Sequence, residues 1–266
     1  PELIQRAIAM NPNQIREDWY SEERKKIMVR FKSAKPVRKK VKTYKSPSGK
    51  YTLIVTPVRF HIRNKKTEYE YTIGSVYHDG KLIFNIHRSA PDFPYLFVED
   101  YDGHDYLICS EDPQSRTVVG LKTGNAKSFI SEKSKRGIEF CWEKLHLSPD
   151  KNKIAIQGYV KHKPNDLFEH REIRFYRINH IMDLPWDEVS DRITFHFEEF
   201  VSWKNEDTYV VSIIEEVRKS DGTKLEDLSL DERKVCIDTS DIALKKTFYE
   251  TPLQEGLKQE VYSEWL

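Results

Sequence analysis

Three carboxylates and two tryptophans carry most of the chemistry this chain could perform. Glu111-Asp112 and Glu143 are of the type that hydrolyses a glycosidic bond, one group delivering a proton while another attacks or activates water. That work needs the two carboxyls at about 5.5 Å or about 6.5–9.5 Å, a separation that only folding can set. With 43 acidic residues in the chain, sequence neighbours of this kind also arise by chance. Trp142, beside Glu143, and Trp203 could form an aromatic platform at the mouth of a channel. The plainer reading makes both of them core, because large aromatics dominate burial.

Other chemistries find little support. His162 and His170 stand eight residues apart around a polar loop and lack the third ligand a metal site needs, so no metal is expected. The 10 glycines are nowhere clustered into a phosphate-cradling loop, and no Gly-x-Ser-x-Gly elbow occurs, so no cofactor is expected either. Cys109, Cys141 and Cys236 are odd in number, far apart and set in apolar runs. They read as buried thiols of an intracellular, reducing compartment.

Charge supplies a second functional clue. Residues 1–50 hold 14 Lys/Arg against 5 Asp/Glu, whereas the rest of the chain holds 30 against 38. The surplus centres on a basic arm, Lys35, Arg38, Lys39, Lys40 and Lys42, interrupted by Pro36. Such a cluster can contact a nucleic-acid backbone with release of counterions. It can equally lie along an acidic surface of its own body or of a protein partner, or stay a solvated linker. A protein partner is the leading expectation and nucleic acid the alternative.

These residues need elements to hold them. Leu3, Ile4, Ala7 and Ile8 recur at helical spacing, and a second helix is predicted over Gln14 to Val29, followed by an extended arm from Arg30 to Lys45. From Val41 the pattern turns to strands. Tyr69–Tyr77 and Leu82–His87 flank Asp79-Gly80, a strong hairpin signal. Strands are predicted at Phe93–Glu99, Asp105–Ser110, Thr117–Leu121, Lys127–Ile130, Phe140–Leu147, Lys153–Val160, Glu172–Ile178 and Arg192–Phe197. Four more follow at Phe200–Lys204, Thr208–Val217, Arg233–Asp238 and Ala243–Tyr249. No apolar run approaches the roughly 20 residues that span a bilayer, so no membrane span is expected. The chain opens on Pro1, as expected where a leading segment precedes it.

A repeat organises the strands. Ser46-Pro47-Ser48-Gly49-Lys50-Tyr51 and Ser148-Pro149-Asp150-Lys151-Asn152-Lys153 both lead into apolar runs, as do Asp102-Gly103-His104-Asp105 and Asn205-Glu206-Asp207. The markers Gly49, Gly103, Asp150 and Asp207 are 54, 47 and 57 residues apart, near the roughly 40–50 of propeller repeats. The fold class predicted is mostly β, a four-bladed propeller-like domain, complete or incomplete, over residues 41–252. A helical and basic segment, 1–40, precedes it and a tail, 253–266, follows, whose Val261, Tyr262, Trp265 and Leu266 suit docking.

The Ser-Pro turns ahead of apolar strands resemble the blade turns of WD40-type and TolB-type β-propellers. Asp100 to Asp112, with Thr117-Val118-Val119, Phe140-Cys141-Trp142 and Ser148-Pro149-Asp150, is similar to an uncharacterised propeller-like group of microbes and large DNA viruses. That group implies a fold and no activity. Gly158-Tyr159-Val160-Lys161 replaces its usual Gly-Cys-Tyr-Trp-like stretch, and the Trp-Asp and Gly-His marks of WD40 blades are absent. The expectation is a non-enzymatic interaction scaffold. The alternatives are a channel-mouth glycan-binding or hydrolytic propeller, and nucleic-acid binding through the arm.

Overall fold

Alternation of apolar and polar side chains over most of the chain dictates strands, and the computed structural model is mostly β, with four sheets. It describes residues 16–18, 25, 28–61, 67–130, 139–161, 170–189, 193–195 and 198–254. The chain forms two compact units, Pro1–Leu145 with Gly158–Glu169 and Arg177–Asp187, and His146–Gln157 with His170–Tyr176 and Glu188–Leu266.

The first sheet runs β2 (Lys35–Pro36), β4 (Tyr51–His61), β5 (Glu68–His78), β6 (Lys81–Arg88), with β3 (Lys42–Lys45) also paired to β4. The hairpin between β5 and β6 turns on Asp79 and Gly80, both at positive φ (49° and 73°), the geometry that a two-residue turn of the right twist demands. The second sheet is β7 (Leu96–Tyr101), β8 (His104–Cys109), β9 (Ser115–Gly120) and β10 (Ala126–Ile130), extended by β1 (Arg16–Asp18). β1 lies parallel to β10 with Arg16 opposite Ala126. A helix through Gln14–Val29 is therefore wrong at Arg16–Asp18, where the open edge of β10 captures the backbone as a strand; residues 28–31 are helical. The earlier helix around Leu3–Ile8 lies outside the described residues.

The third sheet is β11 (Glu139–Leu147), β12 (Lys153–Lys161), β13 (His170–Arg177) and β14 (Asp187–Glu188), with β15 (Ile193–Phe195) paired to β13. The fourth has three strands, β16 (Glu198–Trp203), β17 (Thr208–Arg218) and β18 (Ala243–Pro252). Between β17 and β18 lies helix α1 (Leu230–Asp238), which corrects the strand predicted at Arg233–Asp238. Alternating Val235 and Ile237 suggested a strand, yet both are exposed and only Cys236 is buried. Ser229 decides the matter: it caps the helix by accepting from Glu232 N–H, while the Glu232 carboxylate accepts from Ser229 N–H.

Two cores form where sheets that follow one another in sequence face each other, and a further cluster packs Phe31 onto Val58, Phe60, Tyr71 and Ile73 of the first sheet. In the first unit Leu53, Val55, Val76, Phe84 and Ile86 meet Phe97, Leu107, Cys109, Val119 and Leu121. In the second, Ala155, Ile173 and Phe175 meet Phe200, Tyr209 and Val211. All three cysteines are buried free thiols, as expected. Among the described residues no helix is long and apolar enough to cross a membrane.

The turns at Ser46 and Ser148 are built alike. Ser46 N–H donates to Tyr51 O (3.0 Å), Tyr51 N–H to Ser46 Oγ (3.2 Å) and Gly49 N–H to Ser46 O (2.9 Å). Ser148 reproduces all three with Lys153 and Lys151, at 2.9 Å each. A hydroxyl that caps the incoming strand explains why Ser stands first in both turns.

Candidate functional site

The cleft in the first unit is built on a buried arginine. Arg88, at the end of β6, is 1% exposed. Its guanidinium donates Nε–H to Asp92 O (2.8 Å), Nη2–H to Asp92 Oδ2 (2.9 Å) and Nη1–H to Ser110 Oγ. A buried cation needs these partners, and in meeting them it pins the loop that follows. Thr72 Oγ1 reinforces the loop by donating to Ala90 O (3.0 Å) and Asp92 O (3.2 Å). Phe93 then packs so closely over Gly74 that a Cβ there would stand 2.2 Å from the ring.

Asp92, Phe93 and Pro94 of this loop, with Glu143 from β11 and Tyr159 from β12, line a cleft of about 460 Å³. Gly158 makes the β11–β12 contact possible, since a Cβ there would lie 2.1 Å from Cys141 O. The lining offers two carboxylates, a phenol and an aromatic ring. That set suits hydroxyl-bearing or cationic groups. No cluster of His, Cys, Asp and Glu among the described residues could hold a metal.

Of the five residues expected at a channel mouth, Glu143 alone lines the cleft. Trp142, its neighbour on β11, points to the opposite face and is 1% exposed, with the Arg116 guanidinium 5.7 Å from its ring centroid. It cannot present a platform to a ligand, because strand alternation sends Trp142 inward when Glu143 faces out. Glu111 is also buried, accepting from Ser128 Oγ at 3.2 Å, while Ser128 and Thr117 share a further hydrogen bond of 3.0 Å. Asp112 accepts from Gln114 N–H (3.1 Å) and Ser89 Oγ (2.9 Å), which makes it a turn-forming carboxylate. Trp203 belongs to the second unit's core, where Nε1–H donates to His146 O (2.9 Å) and the ring meets Phe175, Phe200 and Tyr209. Sequence reasoning missed Asp92 and Tyr159. The Pro91-Asp92-Phe93-Pro94 loop was one signal, and Tyr159 beside a strand glycine was another.

The basic arm is corrected from an extended linker to a strap fixed along β4. Lys35 pairs with Arg59 in β2, Val37 N–H donates to Pro57 O (2.7 Å), and Lys42 pairs with Val55 in β3. Between them Arg38–Lys40 makes one 3-10 turn. Lys40 Nζ reaches both Glu70 carboxylate oxygens, at 3.0 and 3.1 Å. Arg59 contacts the same group at 2.8 Å, and its hydrogen bond, aided by that of Lys40, holds Glu70 below the ordinary carboxylate range. Lys35, Arg38, Lys39 and Lys42 are exposed and make no ion pair among the described residues. The strap thus presents four exposed cations on a fixed backbone, none ion-paired among the described residues.

The chain matches no protein-family model, no curated protein and no solved structure.

Proposed function

We propose that this chain is a propeller-like interaction scaffold without catalytic activity, four blades that need not close into a ring, held within a larger assembly by its basic strap. The observation that carries the reading is the strap itself. Four cations make no ion pair among the described residues although the backbone beneath them is fixed by β2 and β3. A charge array held rigid before binding loses little entropy when a partner arrives. The propeller part draws on four sheets that follow one another in sequence and on turns repeated bond for bond at Ser46 and Ser148. The partner is a protein with an acidic face. Purification from the native source in mild salt tests this. The expected result is a stoichiometric protein partner, lost when Lys35, Arg38, Lys39 and Lys42 are all changed to Glu. A chain that purifies without a partner, or a partner that ignores the four changes, refutes it.

The same four cations favour nucleic acid as a second reading. Neutralising four phosphates would give a slope of about −3 to −4 in log affinity against log salt. The glycan-binding or hydrolytic alternative keeps Glu143 and gains Asp92, but loses the aromatic platform that Trp142 was to supply.

A further inference from the structure

The outer edge of the fourth sheet has the chemistry of an interface. In the first two sheets a third strand continues directly into a fourth, β5 into β6 and β9 into β10. In the fourth sheet β18 is the last strand, paired to β17 from Pro252 opposite Thr208 to Ala243 opposite Arg218 with one bulge, which lies in β17 between Ile214 and Glu216. Its other edge has no partner strand among the described residues. Alternate residues of its ten therefore turn their main-chain donors and acceptors outward, a ready template for another strand.

Protein edges of this length are usually blunted by proline, a bulge or like charges. β18 has Pro252 only at its end, and Phe248 in its interior is 60% exposed. Leu244 and Tyr249 are exposed as well. Phe248 shares its face with Lys246 and Glu250, two residues to either side, because strand side chains alternate. This arrangement reads the same in both directions with the charges inverted, so its best complement is itself.

We propose that β18 pairs antiparallel with β18 of a second copy of this chain, about a two-fold axis at Phe248. The register sets Phe248 against Phe248, Lys246 against Glu250 of the second copy, and Leu244 against Pro252. Both three-stranded sheets join into one of six strands. Lys246 already meets Glu199 at 3.2 Å and Glu250 already meets Lys204, so the facing pairs extend charge networks present in each chain. Opposite charges facing across strands stabilise pairing, and a two-fold repeats the gain. Registers that shift by an odd number of residues would break the alternation of faces, which narrows the choice.

Analytical ultracentrifugation of the full chain tests the dimer. The wild type is expected to pass from one to two chain masses between about 1 and about 200 µM, the weak regime of a small interface. Lys246→Glu sets Glu against Glu and Glu250→Lys sets Lys against Lys, so each variant alone should stay a monomer over that range. An equimolar mixture of the two should recover the dimer, because each then meets its opposite. The loss of Lys246–Glu199 or Glu250–Lys204 within a chain persists in the mixture, so recovery cannot come from local folding. A wild type that remains monomeric overturns the proposal, as do single variants that dimerise like it. The inference stands apart from the scaffold reading: a different protein bound by a monomeric chain upholds that reading and refutes this one.

Discussion

Tyr51 Oη donates to Asp105 Oδ2 at 2.9 Å, joining the second strand of one sheet to the second strand of the next. Lys153 makes the corresponding contact with Asp207 at 2.6 Å in the second unit. Both pairs are separated by 54 residues, and Tyr51 and Lys153 each follow the serine of their turn by five. The acid facing each serine turn thus receives a different donor, phenol in one case and ammonium in the other.

The Tyr51 bond should make alkaline stability diagnostic. Burial, then the hydrogen bond and charge of Asp105, push the Tyr51 phenol from 10 up to about 12. The folded state therefore holds the proton more tightly than the unfolded chain. That contribution is complete below pH 10 and is lost as pH rises through about 12. Urea melts should show the wild type losing stability over this window, by about 3 kcal/mol at most. Tyr51→Phe should cost about 1 kcal/mol at pH 7 and flatten the loss above pH 10. An unchanged alkaline limb in Tyr51→Phe would assign the loss to other groups.

Two glycines should respond differently to alanine. At Gly158 the added methyl meets Cys141 O, a backbone atom that cannot rotate away. Gly158→Ala should lower unfolding free energy by about 2–3 kcal/mol. At Gly74 the obstacle is the Phe93 ring, which can move, so Gly74→Ala should cost less and displace Phe93 from the cleft. Equal thermal shifts in the two variants would contradict this.

Capping of α1 by Ser229 should be measurable locally. Ser229→Ala removes an acceptor from Glu232 N–H and should cost about 1 kcal/mol. Since the helix buries only Cys236, the effect should appear as faster hydrogen exchange over Leu230–Asp238 and leave β17 protected. Loss of protection throughout the fourth sheet would mean that the helix is integral to it.

The strap should govern binding to polyanions in proportion to its free cations. Lys39→Ala should reduce the salt slope of single-stranded nucleic-acid binding by about one unit. Lys40→Ala should reduce it less, because Lys40 is already committed to Glu70. Binding that is indifferent to salt would remove the nucleic-acid reading.

The local pattern by itself determined most of the strands and the turns between them. Asp79-Gly80 needs no tertiary help, since its positive φ angles and the alternating runs beside it already define a hairpin. The serine turns at Ser46 and Ser148 were legible for the same reason: each hydroxyl is satisfied within five residues. Ser229 and Glu232 were equally local and could have been read as a capping box, but alternating Val235 and Ile237 masked the signal. Only tertiary structure decided where side chains of similar type went. Trp142 and Glu143 alternate whichever way β11 faces, and only the folded chain shows Trp142 buried beside Arg116 and Glu143 lining the cleft. Asp92 joined Glu143 because a buried Arg88 required a carboxylate, a demand that arises only once β6 is enclosed. The basic arm is the extreme case. Its composition suits solvent, acidic protein or phosphate alike, and it became a strap because β4 offered unpaired backbone groups at its edge, which only a folded sheet can do.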